Sequence, residues 1–176
     1  MANVKRTKRP KFVETTVGSL LDAGDVISLR DEIGEWKDNL EGANMSHLPK
    51  YEELESCFDA LEQVADDLES LIDDLVGVLD KSIEGKAVLE RTVQVRPSKT
   101  RASRADRLGE ATGGIETALN SIEEVFGEQS GGTSKSGNDQ DGAPLVFPDA
   151  AEVIEKVEEI REKLEELDVV DFPGMY

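Results

Sequence analysis

Apolar residues recur through residues 49–80 with the period of a helix. Tyr51, Leu54, Phe58, Leu61, Ala65, Leu68, Ile72, Leu75 and Leu79 follow one another at alternating steps of three and four, which places them on one helical face. With Tyr51 at position a, every d position is leucine: Leu54, Leu61, Leu68 and Leu75. That is the pattern of a coiled-coil seam. The g column reads Lys50, Cys57, Val64, Leu71, Val78, so the apolar strip spreads to one flank. A strip of a, d and g is wider than a two-stranded seam and suits a bundle of three or more helices. At ~1.5 Å per residue this helix is about 50 Å long. Leu54, Phe58, Leu61, Leu68, Leu71, Ile72, Leu75 and Leu79 form its expected interaction seam.

The other side of the same helix is acidic. The b column reads Glu52, Asp59, Asp66, Asp73, Asp80, and the e column begins Glu55, Glu62, Glu69. Glu55, Asp59, Glu62, Asp66, Glu69 and Asp73 thus make a continuous acidic face.

An earlier segment carries Val26, Leu29, Ile33, Trp36 and Leu40, again at steps of three and four. It predicts a helix about half as long, with Trp36 as a core anchor on its apolar stripe. Gly42 is the expected stop, because glycine takes the left-handed conformation without strain. Ser46 to Pro49 is the expected start of the long helix, since proline is tolerated in a first turn. The pair forms a helical hairpin. The long member overhangs the short one by about 25 Å, and its leucines stay exposed there unless something covers them. A third helix is expected over about 102–126, with Ala105, Leu108, Ala111, Ile115, Leu119, Ile122 and Phe126 on one face. Gly113 and Gly114 weaken it by roughly 1 kcal/mol each relative to alanine. A fourth begins near Pro148–Asp149 and carries Val153, Val157, Ile160, Leu164 and Leu167, with glutamates beside them. Residues 12–17, "FVETTV", and 91–95, "RTVQV", are weak strand candidates for one short β-ribbon.

These elements give a mainly α chain in four parts. Residues 1–11 are a basic flexible arm. Residues 12–126 are a helical hairpin extended into a bundle. Residues 127–144, "GEQSGGTSKSGNDQDGAP", have the composition of a disordered linker. Residues 145–176 are an acidic amphipathic helix with a short, partly apolar tail.

Composition agrees with packed helices. Among 176 residues, aromatics are only 5%, so a core must be built from Leu, Ile, Val and Ala. The formal net charge of −19 keeps a chain of this size soluble through self-repulsion. It also disfavours generic nucleic-acid binding, where cations must replace counterions. The charge is blocked: +5 over residues 1–11, −16 over 12–85, +5 over 86–107 and −13 over 108–176. The second basic block holds Arg91, Arg96, Lys99, Arg101, Arg104 and Arg107. It has three readings: neutralising this chain's own acidic helices or a second copy's, contacting nucleic acid, or simple solvation. Little aromatic interleaving accompanies it, so stacking on single-stranded bases is poorly supported.

Candidate chemistry is sparse. Cys57 and His47 are the only thiol and imidazole. They are ten residues apart, about 15 Å along a helix, against a hydrogen-bond reach of about 3 Å. No phosphate loop, nucleophile elbow or HExxH occurs. A zinc site needs about four N or S ligands, and the calcium-loop pattern is incomplete. No catalytic, cofactor-binding or metal residue is expected, and no cofactor. The lone cysteine suits a reducing compartment. The basic start has no apolar run behind it, so no secretory signal is expected, and no apolar run is long enough to span a membrane. The acidic face has a bland reading, a solvated helix surface. Its sharper reading is nucleic-acid mimicry, because carboxylates at helical spacing lie about 5–6 Å apart, comparable to phosphates.

Residues 29–62, "LRDEIGEWKDNLEGANMSHLPKYEELESCFDALE", resemble a helical-hairpin module of uncharacterised bacteriophage proteins. The residues that carry the resemblance are Leu29-Arg30-Asp31-Glu32, Trp36, Asp38 to Gly42, Asn44 and Lys50-Tyr51. That is about a fifth of the chain. Where the family has a polar step before the Lys-Tyr pair, this chain has His47-Leu48-Pro49. The resemblance implies a phage origin, in host cytoplasm or virion, and no activity. The expected function is a non-enzymatic interaction or structural protein that self-associates or binds another protein through its leucine helix. The alternatives are an acidic DNA mimic and a nucleic-acid accessory protein using residues 86–107.

Overall fold

The structure, a computed structural model, describes residues 11–99, 102–130 and 150–174. In chain order the elements are β1 (Val13–Thr16), α1 (Val17–Leu20), α2 (Gly24–Gly42), α3 (Pro49–Leu79), α4 (Ile83–Leu89), β2 (Thr92–Val95), α5 (Arg104–Ser130) and α6 (Ala150–Leu167). The chain is mainly helical with one short antiparallel ribbon, as the periodicity predicts.

Local chemistry sets the helix ends. α2 closes with Asn44, not Gly42, in the left-handed region at φ 62°. The Met45 N–H donates to the Leu40 carbonyl at 2.8 Å and the Asn44 N–H to Glu41 at 2.9 Å. That is the paired closure of a Schellman turn, and a short polar side chain tolerates its strained position. Gly42 is simply the last helical residue. α3 starts on Pro49 behind an extended Leu48 with no side-chain cap, so Ser46 does not serve as the start signal. α5 starts on a capping box. The Asp106 N–H donates to Ser103 Oγ at 3.1 Å, and the Ser103 N–H donates back to Asp106 Oδ2 at 3.1 Å. Two otherwise orphaned donors are satisfied at once.

α3 lies between α2 and α6, and α5 packs against α6, α2 and α1. Ion pairs fix the directions. Lys156 meets Asp74 and Lys163 meets Asp67, so α6 runs antiparallel to α3. One core fills the space between the four long helices, and it includes the helix that follows the expected linker. Leu29, Ile33, Leu61, Ile122, Phe126 and Ile160 are all fully buried in it. Each such side chain contributes about 1.5–3 kcal/mol by leaving water.

The overhang of α3 beyond α2 does not leave leucines exposed. α6 lies along α3, and α4 folds beneath its end. The fit at that end is close: a Cβ on Gly85 would collide with the Leu79 carbonyl oxygen. The ribbon pairs Val13 with Val95 and Thr16 with Thr92, and Val93 packs on the core. α5 continues through residues 127–130, where the linker was expected to begin. The rest of that linker, residues 131–144, and the arm at 1–10 lie outside the described residues. Among the described residues no helix is long and apolar enough to cross a membrane.

A candidate interaction face on two helices

The expected seam is occupied within the chain. Leu54, Leu61, Leu68, Leu75 and Leu79 are fully buried, Ile72 is buried, and Phe58 and Leu71 are partly buried against the same core. Gly34 of α2 explains the position of Phe58: a Cβ there would come within 2.9 Å of the ring. Ala105, expected on the apolar face of α5, is instead exposed.

Several cations lie at the joints between helices. Arg30 of α2 reaches Asp66 of α3. Lys156 and Lys163 of α6 reach Asp74 and Asp67 of α3 at 3.3 and 3.2 Å. Arg161 of α6 reaches Glu123 of α5 at 2.6 Å and Asn120 at 2.7 Å. Glu32 of α2 takes both Arg104 and Arg107 of α5, each at 2.6 Å. Burial pushes the Glu32 carboxyl up, but the two guanidinium groups hold it below its ordinary value.

The basic cluster is therefore mostly spent inside the chain. Arg91 pairs with Glu124, Lys99 with Asp106, and Arg104 and Arg107 with Glu32. Arg96 is exposed and pairs with no described acid, and Arg101 lies outside the described residues. Of the three readings of this block, neutralisation of the chain's own acidic helices accounts for these contacts.

The outward side of α3 is acidic. Glu55, Asp59, Glu62, Asp66, Glu69 and Asp73 are all exposed. Only Asp66 among them has a described cationic partner, and its side chain is still 73% exposed. The row alternates between the b and e positions, so neighbours lie about 5–6 Å apart over about 27 Å of helix. Glu52 extends it by a turn. On α6 the exposed side carries Glu152, Glu155, Glu159 and Glu162, while that helix's own cations turn inward. On α3 and α6, then, the cations that pair between helices turn inward and unpaired carboxylates face outward.

Comparison with family models, with curated proteins and with solved structures finds no match to this chain.

The singular residues serve architecture. Trp36 is half-buried between the Lys50 ammonium, 5.3 Å from its ring centre, and the Arg104 guanidinium, 5.0 Å away. Its ring thus meets side chains of both α3 and α5. His47 is exposed in the α2–α3 turn. Cys57 is buried, and burial pushes its thiol up to about 11, so it stays protonated and unreactive near neutrality. A cleft of about 590 Å³ opens between the ribbon and α5, over Gly109 and Gly113 and beside Phe12 and Arg96. Among the described residues no group of His, Cys, Asp or Glu is placed to hold a metal ion.

Proposed function

We propose that this chain is a non-enzymatic binding protein that presents the carboxylate face of α3 to a cationic partner. The observation that carries the reading is the sorting of charge. Arg30, Arg104, Arg107, Lys156, Arg161 and Lys163 pair across helix joints, while Glu55, Asp59, Glu62, Glu69 and Asp73 stay exposed without a described cationic partner. Held on a packed helix, these groups need little ordering on binding, which favours affinity. Acidic surfaces of this kind also steer association with basic partners. The partner class that best suits a regular carboxylate row is a nucleic-acid-binding protein, with the row standing in for phosphates. The phage origin expected from the resemblance of residues 29–62 carries no activity of its own; the place of action that goes with this reading is the host cytoplasm.

Self-association through the leucine seam has weaker support, because Leu54, Leu61, Leu68 and Leu75 are covered inside the chain. A nucleic-acid accessory role is weaker for the same kind of reason, since most of the basic cluster is paired internally. The test is capture. The purified chain is immobilised and exposed to nuclease-treated bacterial lysate. Basic DNA-binding proteins should be retained, released by raised salt and displaced by added duplex DNA. Retention indifferent to both would contradict the proposal.

A further inference from the structure

α6 ends at Leu167, but α3 continues past it. The pairs Lys156–Asp74 and Lys163–Asp67 extrapolate to place the end of α6 beside residue 63 of α3. The first turns of α3, with Leu54 and Cys57, therefore lie beyond the reach of that helix. They are nevertheless buried, at 0% and 3% exposure. On the α6 side, the continuation of the chain is residues 168–174, which carry no helix. Pro173 is buried, and Val170 and Phe172 pack against the core. The Lys50 ammonium donates to the Gly174 carbonyl, which pins this segment to the first turn of α3. Burial dominates at the Cys57 thiol, with Arg104 at the start of α5 and then Asp171 of this segment as the charges that act on it.

We infer that residues 168–174 form a releasable strap over the first turns of α3, and that its release uncovers Leu54 and Cys57 while the four-helix bundle stays folded. The physical ground is unequal support. The bundle is held by long interdigitated helices and several ion-paired joints. The strap is held by few apolar side chains and one described side-chain hydrogen bond. Segments with so little buried surface open locally at much lower free energy than the whole molecule. Access to the buried start of the leucine seam is then set by the strap, independently of the acidic face.

Cys57 reports the opening, since it is the only thiol in the chain. Its labelling by an aromatic disulfide is followed on the full chain in increasing urea, below the unfolding midpoint. A strap predicts a nearly flat rate, because local opening exposes little surface. A rate that rises with the full slope of global unfolding would overturn the inference. A variant gives a second reading. Phe172→Asp should speed labelling by about tenfold or more while the far-UV spectrum and the melting of the bundle hold. Val169→Asp, at a neighbouring position that is 79% exposed, should leave the rate unchanged. A native labelling rate in Phe172→Asp, or an equal gain in both variants, would sink the strap.

Discussion

Two glycines a short distance apart make opposite demands on their surroundings. Gly85 sits beneath the end of α3, where a Cβ would collide with the Leu79 carbonyl. Backbone does not yield as a flexible side chain does. Gly85→Ala should lower stability by about 1–3 kcal/mol through overpacking. Gly77 lies on the exposed side of α3 with open space around it. Gly77→Ala should raise stability by about 0.8–1 kcal/mol, the helical preference of alanine. Urea melts of the two variants check both signs. At the start of α5, Lys99 and the Ser103 hydroxyl and N–H hold the Asp106 carboxyl down, to about 2. A carboxyl depressed in the folded chain stabilises it above the ordinary value of about 3.9. That contribution is lost as pH falls from about 4 towards 2. Helicity followed over that window should fall more steeply in the native chain than in Asp106→Asn. Equal slopes would mean the cap carries no linkage.

At the scale of elements, the leucine column of α3 has two possible uses, and one substitution separates them. Leu68 is fully buried within the chain. Leu68→Ala should cost about 2–5 kcal/mol as a core cavity and leave the sedimentation coefficient of the folded chain unchanged. A change in oligomeric state with little loss of stability would assign that column to an interface instead. The same column shows what could be read from sequence. The three-and-four steps of Leu54 to Leu79, and of Val153 to Leu167, announced the faces that α3 and α6 bury. The period does not say what those faces meet. Residues 54–79 looked uncovered because the partner, α6, comes 70 or more residues later in the chain. α1 and α4 were invisible because four and seven residues are too few to display a helical period. The start of α5 was legible in principle, since Ser103 and Asp106 stand at capping-box spacing. Gly42 misled because the left-handed position fell two residues on, at Asn44. The acidic row was fully legible, being local to one helix. The pairing of Arg104 and Arg107 with Glu32 was not, since it joins residues more than 70 apart.

Across the whole molecule, the fold decides where charge ends up. A net charge of −19 could have been spread evenly. The fold instead sets Arg30, Lys156, Arg161 and Lys163 between helices and turns carboxylates outward along α3 and α6. Carboxylates concentrated on one face repel one another, and a cationic partner relieves that repulsion on binding. This face, and not the leucine seam, is the proposed binding surface. The most direct measurement compares the native chain with the triple variant Glu55→Gln, Glu62→Gln, Glu69→Gln in the lysate capture. These three side chains are exposed and form no described ion pair, so the variant should fold with equal or slightly higher stability. The account predicts that retention of the native chain's basic partner falls by about tenfold or more, as for a loss of at least 1.4 kcal/mol. Undiminished retention by a folded triple variant would contradict it.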